Sequence, residues 1–280
     1  MFSSVTARFV VAMCVNKQNK DNDPMRVIDL NVDLGEGCAN DVELLDYATS
    51  INVACGWHAG DATTMMRTSA AALEKSIRIG AHPSYPDREN FGRKSLKLPA
   101  CDIYAGVLYQ IGSLNGIVKA IGGKLSHVKP HGALYNDAER DSETAEAIVV
   151  AVRDSDPTME IYGLAGGQLV RIARRYGLAA RDEAFADRGY SSSGHLIPRG
   201  APSAMIDDIG EAASRVEEMA VNGRVAADDG RWVEIPVETI CLHGDGPHAV
   251  TFAKRIKSVL DSLGACSRSP ARSINHQRKL

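Results

Sequence analysis

Four histidines follow four short apolar runs of the sequence, each at the point where a β-strand is expected to end. The segments are ACGWHAGD, GAHPS, HVKPHGALYN and CLHGDGPHA, and the histidines at the expected strand ends are His58, His82, His131 and His243. A single histidine in such a place is more often a hydrogen-bonded core residue than a catalytic group. Parallel α/β folds gather the carboxyl ends of their strands at one face, so four such histidines together predict a common reaction centre.

Charged side chains accompany these histidines. The first apolar run, IDLNVDL, carries Asp29, Asn31 and Asp33 at alternate positions, so a strand would direct all three to one face. Lys129 lies inside the run HVKP, and Asp245 follows the last run. Inward-facing acids are costly without partners, and a lysine at the same rim is suited to holding a carboxylate or stabilising an oxyanion. We therefore expect Asp33, Lys129 and Asp245 to join the histidines.

Two kinds of chemistry use such a set of residues. Histidine and aspartate bind a divalent metal ion that activates water, with Asp33, His58 and His82 as the candidate ligands here, and they also serve as general acid and base without a metal. No HExxH or HxH motif places two ligands on one element. The spacing leaves both chemistries open, and a polar ring that only stabilises the fold is the third interpretation.

The segment PSYPDRENFGR, which follows His82, predicts an active-site loop because its prolines and mixed charges are too irregular for a helix. Two arginines in it, Arg88 and Arg93, fit a substrate carboxylate. A salt bridge with Asp87 or Glu89 is the alternative for either arginine.

Three further signals are weaker. FADRGY is a similar case, in which Arg188 fits a substrate carboxylate and a salt bridge with Asp187 is the alternative. In LAGGQ, two glycines precede a helix whose free N–H groups favour an anion. Cys38 and Cys55 fall near the same rim, where a nucleophilic role competes with the more usual role of a small buried residue.

Short runs rich in β-branched residues alternate with longer helical patterns, which is typical of βα units around a largely parallel sheet. The fold class is therefore α/β, and the predicted architecture is a single-domain barrel. Its seven predicted strands cover residues 27–32, 51–54, 77–82, 125–129, 160–164, 179–185 and 238–242. Predicted helices cover residues 63–75, 102–120, 142–153, 168–176 and 247–263.

Residues 187–236 interrupt this rhythm. They combine a loop rich in serine, glycine and proline with a helix near residues 209–221 and the hairpin signal Asp229-Gly230. We interpret them as an insertion in a barrel domain that spans residues 25–264. Residues 1–24 are predicted to be a disordered extension and residues 265–280 a flexible tail, and Met25 is an alternative start of the protein.

Composition excludes several classes of function. A net charge of -3 gives no basis for binding nucleic acid or an anionic membrane. The six cysteines show no CxxC pair and no disulfide spacing, and no apolar run reaches the ~18–20 residues of a membrane span. We expect a cytoplasmic protein with a small-molecule ligand.

Several blocks of the sequence together resemble the LamB/YcsF family. They are IDLNVDLGEG, INVACGWHAGD, GAHPSYPDRENFGR, HVKPHGALYN, FADRGY and CLHGDGPHA, and they follow one another in that order from about Met25 to Gly264. The resemblance implies a (β/α) barrel of the glycoside hydrolase/deacetylase type, often with seven strands. The extension at residues 1–24 and the C-terminal tail fall outside the family pattern.

The family's characterised role is that of the first of three subunits, A, B and C, of the ATP-hydrolysing 5-oxoprolinase, which opens the 5-oxoproline lactam to L-glutamate. The resemblance thus implies ATP with Mg²⁺, handled at least in part by the partner subunits B and C, and leaves a bound metal and self-association open. The catalytic residues it implies are Asp33, His58, Lys129, His131 and Asp245. The carboxylate of such a substrate suits Lys129 or Arg88, and the substrate-binding residues expected in this site are Asn31, His82, Arg88, Arg93 and His243.

Two other functions compete with this one. The scaffold would also suit a metal-dependent deacetylase or amidohydrolase that acts alone on a carbohydrate or a cyclic amide. It would equally suit a non-catalytic module whose polar rim binds a carbohydrate or a lactam without reacting.

Overall fold

The computed structural model of the protein describes residues 27–243 and 248–265. In this part of the chain, seven parallel strands form a closed barrel, because β9 pairs with both β1 and β6. The barrel strands are β1 (Asp29–Leu34), β2 (Ser50–Ala54), β3 (Arg78–His82), β4 (Leu125–Val128), β5 (Glu160–Leu164), β6 (Ala180–Phe185) and β9 (Thr239–Leu242). The predicted seven-stranded α/β barrel is confirmed, and the observed strand bounds lie within two residues of the predicted ones.

Helices connect the strands and surround the barrel. They are α1 (Asp41–Leu44), α2 (Ala62–Glu74), α3 (Ala100–Ala120), α4 (Gly132–Ala138), α5 (Ser142–Ser155), α6 (Gln168–Arg175), α7 (Ile209–Asn222) and α8 (Ala249–Ser262). Aspartates cap α2, α5 and α7 by accepting hydrogen bonds from backbone N–H groups of the first turn. The short α4, directly after His131, was not predicted because seven residues are too few to show a helical period.

The two faces of β1 show how the sequence builds the barrel. Leu30, Val32 and Leu34 alternate with Asp29, Asn31 and Asp33, and all six residues are buried. The three apolar residues belong to the hydrophobic core, whereas the three polar ones hydrogen-bond to side chains of other barrel strands or of the residues that directly follow them. The apolar core therefore lies between the barrel and its helices, and the inside of the barrel is polar.

The predicted insertion lies between β6 and β9. It contains α7 and an antiparallel hairpin of β7 (Arg224–Ala226) and β8 (Trp232–Glu234). Gly230, with φ 80, lies in the turn that joins them, so the Asp229-Gly230 hairpin signal is confirmed. The predicted extension at residues 1–24 and the tail beyond residue 265 lie outside the described residues.

No helix within residues 27–243 or 248–265 is long and apolar enough to cross a membrane.

Candidate active site

A column of polar residues on β1 runs through the inside of the barrel. Asp29 accepts hydrogen bonds of 2.7 Å from both Ser50 and Thr239. Asn31, one level further along the strand, donates to Thr239 at 2.8 Å, and Asp33 follows near the carboxyl end of β1. The predicted orientation of the three alternate side chains toward one face is confirmed.

The ammonium group of Lys129 is the charge centre of this column. Its Nζ lies 3.0 Å from Asp33 Oδ1, 2.8 Å from Glu183 Oε1 and 3.0 Å from Cys241 Sγ, and it donates to Asn31 Oδ1 at 3.1 Å. Burial by itself would lower the pKa of Lys129, but the facing groups raise it well above its usual value. Lys129 is therefore a fixed cation and not a general base.

Asp33 is the counterpart of this cation. Burial would raise its pKa, but His82 and Lys129 hold the pKa well below its usual value. Asn52 also donates to Asp33 Oδ1, at 2.8 Å. Asp33 thus stays ionised, with one of its oxygens engaged by Lys129 and Asn52.

Three of the four predicted histidines meet next to Asp33. His82 Nε2 and His131 Nδ1 lie 3.0 Å apart, and the rings of His58 and His131 are parallel with their centroids 3.8 Å apart. Burial lowers the pKa of His58 to about 2 and the pKa of His131 well below its usual value. Both imidazoles are therefore neutral near pH 7.

Glu36 brings a carboxylate to these three imidazoles. Its Oε1 lies 3.2 Å from His58 Nε2, 3.4 Å from His131 Nδ1 and 3.8 Å from His82 Nε2. Glu36 lies in the sharp turn after β1, between two glycines in the left-handed region, with φ 75 and 84. Such backbone favours glycine, so the LGEG turn determines where the carboxylate points.

The loop that follows β3 covers the imidazoles. The carbonyl oxygen of Phe91 accepts a hydrogen bond of 2.8 Å from His131 Nε2. Gly92, with φ 65, packs so closely that a Cβ there would lie 2.9 Å from His58 Cβ. The segment predicted as an active-site loop therefore excludes solvent from one side of the histidines.

His243 lies apart from the other three histidines and has a different partner. Its Nδ1 donates to Asp187 Oδ2 at 2.7 Å, and its ring stacks on Phe185 with centroids 5.8 Å apart. Burial would raise the pKa of Asp187, but His243 lowers it. A carboxylate bound to Nδ1 orients an imidazole so that Nε2 can act as a general base or acid.

Of the two alternatives for Asp187 and Arg188, the structure does not show the one in which they pair with each other. The carboxylate of Asp187 is taken by His243, and the guanidinium of Arg188 donates to the carbonyl oxygens of Ala204 at 3.1 Å and Ile197 at 2.7 Å. Arg188 thereby holds together the loop that walls the site. Adjacent residues near the end of a strand point to different sides, which local charge pairing does not take into account.

A cavity of about 440 Å³ joins these groups. Polar residues that line it include Asp33, Glu36, His82, Lys129, His131 and His243. Four arginines also line it, namely Arg93, Arg140, Arg188 and Arg199. The volume suits a small molecule, and the arginines favour a ligand that carries a carboxylate or a phosphate.

Among the described residues, three of the predicted site residues do not line this cavity. Asn31 and His58 lie behind its lining, in contact with Lys129 and Glu36 respectively. Arg88 donates to the carbonyl oxygens of Gly56 at 2.8 Å and Gly60 at 3.0 Å and so holds that loop, and its contact with substrate stays a prediction. Asp245 falls among residues 244–247, outside the described residues.

Two groups of donors in the described part of the chain are close enough to hold a metal ion. They are Glu36 with His58, His82 and His131, and Asp33 with Cys241 and His243. The second group fits a cation poorly, because the ammonium of Lys129 already lies 3.0 Å from both Asp33 and Cys241. The first group differs from the predicted ligand set in containing Glu36 and His131 and in leaving Asp33 out.

Sequence reasoning missed Glu183, Cys241 and the role of Glu36. Glu183 is fully buried on β6, and a charged residue in mid-strand was the signal that would have revealed it. Cys241 lies on β9 between two apolar residues, where alternation alone places it on the inner face. For Glu36, the signal was the pair of flanking glycines.

Two of the weaker signals have structural explanations. The backbone N–H groups of Gln168 and Leu169, which follow the glycines of LAGGQ, bind the carboxylate of Glu139 at 2.5 and 3.3 Å. The predicted anion is thus a side chain of the protein itself. Burial raises the pKa of Cys55 to about 12, which disfavours the nucleophilic role.

Barrel and cavity together define a (β/α)-barrel protein whose interior carries groups suited to acid–base chemistry on a small anionic ligand. The chain belongs to the LamB/YcsF family, whose profile matches residues 28–275, as the sequence blocks predicted.

Several solved structures are similar to this chain. The fold is similar to that of the lactam utilization protein from Thermus thermophilus, with 40% sequence identity, a TM-score of 0.81 and coverage of 87% of this chain and 99% of that one. An Enterococcus faecalis protein, named for a proposed cellobiose-phosphate cleavage, shares the fold at 10% identity and a TM-score of 0.55, with coverage of 87% and 97%. A family 4 carbohydrate esterase from Streptomyces lividans matches at 12% identity and a TM-score of 0.44, with coverage of 86% and 91%.

Proposed function

We propose that this protein is the first of the three subunits, A, B and C, of an ATP-dependent 5-oxoprolinase, which hydrolyses 5-oxo-L-proline to L-glutamate. The observation that carries the proposal is the similarity to a lactam utilization protein over 99% of that protein's chain. The cavity agrees with a substrate of this kind, because it is small and combines acid–base groups with arginines.

The coupling to ATP has a chemical reason. A five-membered lactam is an unstrained amide that resists water. Transfer of the γ-phosphoryl group of ATP to the lactam oxygen, with loss of the N–H proton, gives an activated carbon and ADP. Water then adds to that carbon, the C–N bond breaks as the nitrogen takes up a proton, and a second water releases phosphate from the acyl phosphate to leave glutamate.

Within this scheme the chain's own residues bind the substrate and move protons. His243, oriented by Asp187, takes the proton of the attacking water at Nε2 and returns it to the leaving nitrogen. Arg93 and Arg199 contact the substrate carboxylate from the cavity wall. The fixed charge of Lys129 stabilises negative charge that develops on the reacting carbonyl.

ATP with Mg²⁺ is handled at least in part by the B and C subunits in this proposal, and the purified chain alone is expected to be inactive. Reconstitution tests it. The chain, subunits B and C, ATP and Mg²⁺ should release glutamate from 5-oxoproline, with one ADP formed per glutamate. If the complete mixture releases no glutamate although each subunit is shown to be folded, the proposal is overturned.

A metal-dependent amidohydrolase that acts alone is the second candidate, and the cluster of three histidines and Glu36 is the observation that favours it. It predicts hydrolysis of a cyclic amide or an acetylated carbohydrate by the isolated chain, without ATP and with sensitivity to chelators. A non-catalytic binding module predicts no activity of the isolated chain, and turnover by the full mixture would then depend on catalytic groups of subunits B and C. In that case, His243→Ala in the full mixture would lower affinity for the ligand and leave turnover unchanged.

A further inference from the structure

Two cavity-lining histidines, His82 and His131, each have one ring nitrogen within hydrogen-bond distance of a backbone carbonyl oxygen, and this contact shows where the ring carries a proton. His82 Nδ1 lies 2.7 Å from the carbonyl oxygen of Lys129, and His131 Nε2 lies 2.8 Å from the carbonyl oxygen of Phe91. A carbonyl oxygen only accepts hydrogen bonds, so both of these nitrogens are protonated. The remaining nitrogens, His82 Nε2 and His131 Nδ1, are then the ones available to a cation or to a shared proton.

Those two nitrogens face each other. His82 Nε2 and His131 Nδ1 are 3.0 Å apart, and the two rings are nearly perpendicular, with an interplanar angle of 85°. Two ring nitrogens approach each other this closely when a proton or a cation lies between them. Both rings are buried, His82 with 1% and His131 with 6% of its surface exposed, so leaving this contact uncompensated is costly.

Glu36 supplies a carboxylate to the same point. Its Oε1 lies 3.4 Å from His131 Nδ1 and 3.8 Å from His82 Nε2. Ligands at 2.0–2.2 Å from a tetrahedral metal ion are about 3.3 Å from one another, and the three observed separations of 3.0, 3.4 and 3.8 Å bracket that value. Glu36, His82 and His131 all line the cavity, so a fourth ligand position would face it.

His58 has a different place in this arrangement. Its ring is parallel to that of His131 within 2°, at 3.8 Å, so one ion cannot lie in the planes of both rings. His58 does not line the cavity, and its Nε2 lies 3.2 Å from Glu36 Oε1. A hydrogen bond from His58 Nε2 to the carboxylate would orient Glu36, which is the usual role of a group directly behind a metal ligand.

We propose that Glu36, His82 and His131 bind one zinc-type divalent metal ion, with His58 positioning Glu36 and the fourth coordination position open to the cavity. Two imidazoles and one carboxylate with an open position are a ligand set found in catalytic zinc sites. An ion there would polarise a bound carbonyl group or lower the pKa of a bound water. The carbonyl oxygens of Lys129 and Phe91 complete the site by fixing the tautomers of its two histidines.

The test is metal binding by the full chain alone, without ATP, substrate or partner subunits. The metal-free protein is titrated with Zn²⁺ by calorimetry, and X-ray absorption of the zinc-loaded wild type counts the ligands. We expect one equivalent of zinc with two imidazole nitrogens and carboxylate oxygen at about 2.0–2.2 Å. Absence of stoichiometric binding, or a sulfur ligand in the absorption spectrum, would overturn the proposal.

Variants assign the ligands. We expect His82→Ala and His131→Ala to weaken zinc binding by more than about 100-fold, and His58→Ala by about 10–100-fold, as for groups behind the ligands. His243→Ala is the matched control, because it removes an imidazole of the same cavity. Loss of zinc in that variant, with retention in His82→Ala, would place the ion in the other donor group and contradict the proposal.

The wild-type absorption measurement decides the matter even if a variant fails to fold. A shared proton between His82 and His131 is the competing explanation of their contact, and it predicts no bound zinc. The inference deepens the proposed function, but its test requires no activity. A protein that binds zinc and fails to open 5-oxoproline would refute the function alone, and the reverse result would refute the metal site alone.

Discussion

The ammonium nitrogen of Lys129 lies 2.8 Å from Oε1 of Glu183, and the side chains of both residues are at most 3% exposed. Asp33 adds a second carboxylate at 3.0 Å, so one buried cation is shared by two buried acids. Such a group is stable only while it is complete, because each charge has lost its water. The polar interior of the barrel therefore behaves as a single unit.

Removing the cation should be strongly destabilising. We expect Lys129→Met to lower the free energy of unfolding by about 3–5 kcal/mol, since it leaves Asp33 and Glu183 facing each other without a counter-charge. Lys119→Met, on the exposed face of α3, should change it by less than about 0.5 kcal/mol. Urea denaturation measures both, and equal effects of the two substitutions would contradict this account.

The Asp187–His243 pair should control turnover. We expect Asp187→Asn and His243→Ala to lower kcat of the reconstituted 5-oxoprolinase by about 10²–10⁴-fold, the usual contribution of a positioned acid–base group, with a smaller change in KM. His195→Ala removes an exposed imidazole and is the control. Steady-state kinetics would refute the assignment if His243→Ala raised KM and left kcat at the wild-type value.

Two neighbouring arginines should behave differently. Arg93 lines the cavity, so Arg93→Ala should raise KM for the lactam by about 10–100-fold, the equivalent of one charge-assisted hydrogen bond of about 1.5–3 kcal/mol. Arg88 holds the carbonyl oxygens of Gly56 and Gly60, so Arg88→Ala should lower the melting temperature and leave KM nearly unchanged. The opposite pattern would restore the sequence-based role of Arg88.

Gly92 should be sensitive to a single methyl group. An alanine there would adopt φ 65 and place its Cβ 2.9 Å from His58 Cβ and 3.0 Å from His131 Cδ2. We expect Gly92→Ala to cost about 2–4 kcal/mol, the sum of left-handed strain and overpacking. Gly122→Ala shares the positive φ, 84, but meets nothing within 4 Å, so its cost should be only about 1–2 kcal/mol. Thermal unfolding of both variants separates the two effects, because Gly122→Ala measures the left-handed strain alone and Gly92→Ala measures the strain together with the overpacking.

Thiol reactivity should separate buried cysteines from exposed ones. With a pKa of about 12, roughly one Cys55 thiol in ten thousand is ionised at pH 8, and burial also raises the pKa of Cys241 well above its usual value. Iodoacetamide at pH 8 should modify the exposed Cys101 in the native protein and reach Cys55 and Cys241 only after unfolding. Peptide mapping measures this, and rapid native labelling of Cys55 would revive its nucleophilic role.

Local pattern was sufficient for the elements of this fold. Alternation of apolar and polar residues along β1 predicted the inward column of Asp29, Asn31 and Asp33, and the βα rhythm predicted seven strands. Both depend only on the two-residue period of a strand and on the length of helical stretches, which are properties of a short segment. The short α4 carried too few residues for such a period.

Local pattern was not sufficient to predict which side chains contact each other within the site. Sequence neighbours offered Arg188 as a partner for Asp187 and Asp87 or Glu89 as a partner for Arg88, whereas Asp187 binds His243 and Arg88 binds backbone carbonyls. These contacts join residues from different βα units, and they depend on the register of the strands and on the path of each loop. Neither the register of the strands nor the path of a loop can be predicted from the periodicity of a short segment.

By itself, then, the sequence determined the family, the barrel and the face on which each strand residue lies, because these follow from periodicity and from motifs within single segments. Only the tertiary structure decided that Glu36 joins His82 and His131, and that Glu183 and Asp33 share Lys129. Barrel closure brings distant segments within 3 to 4 Å of one another, and hydrogen bonds to backbone carbonyls then set which nitrogen of each histidine faces the cluster.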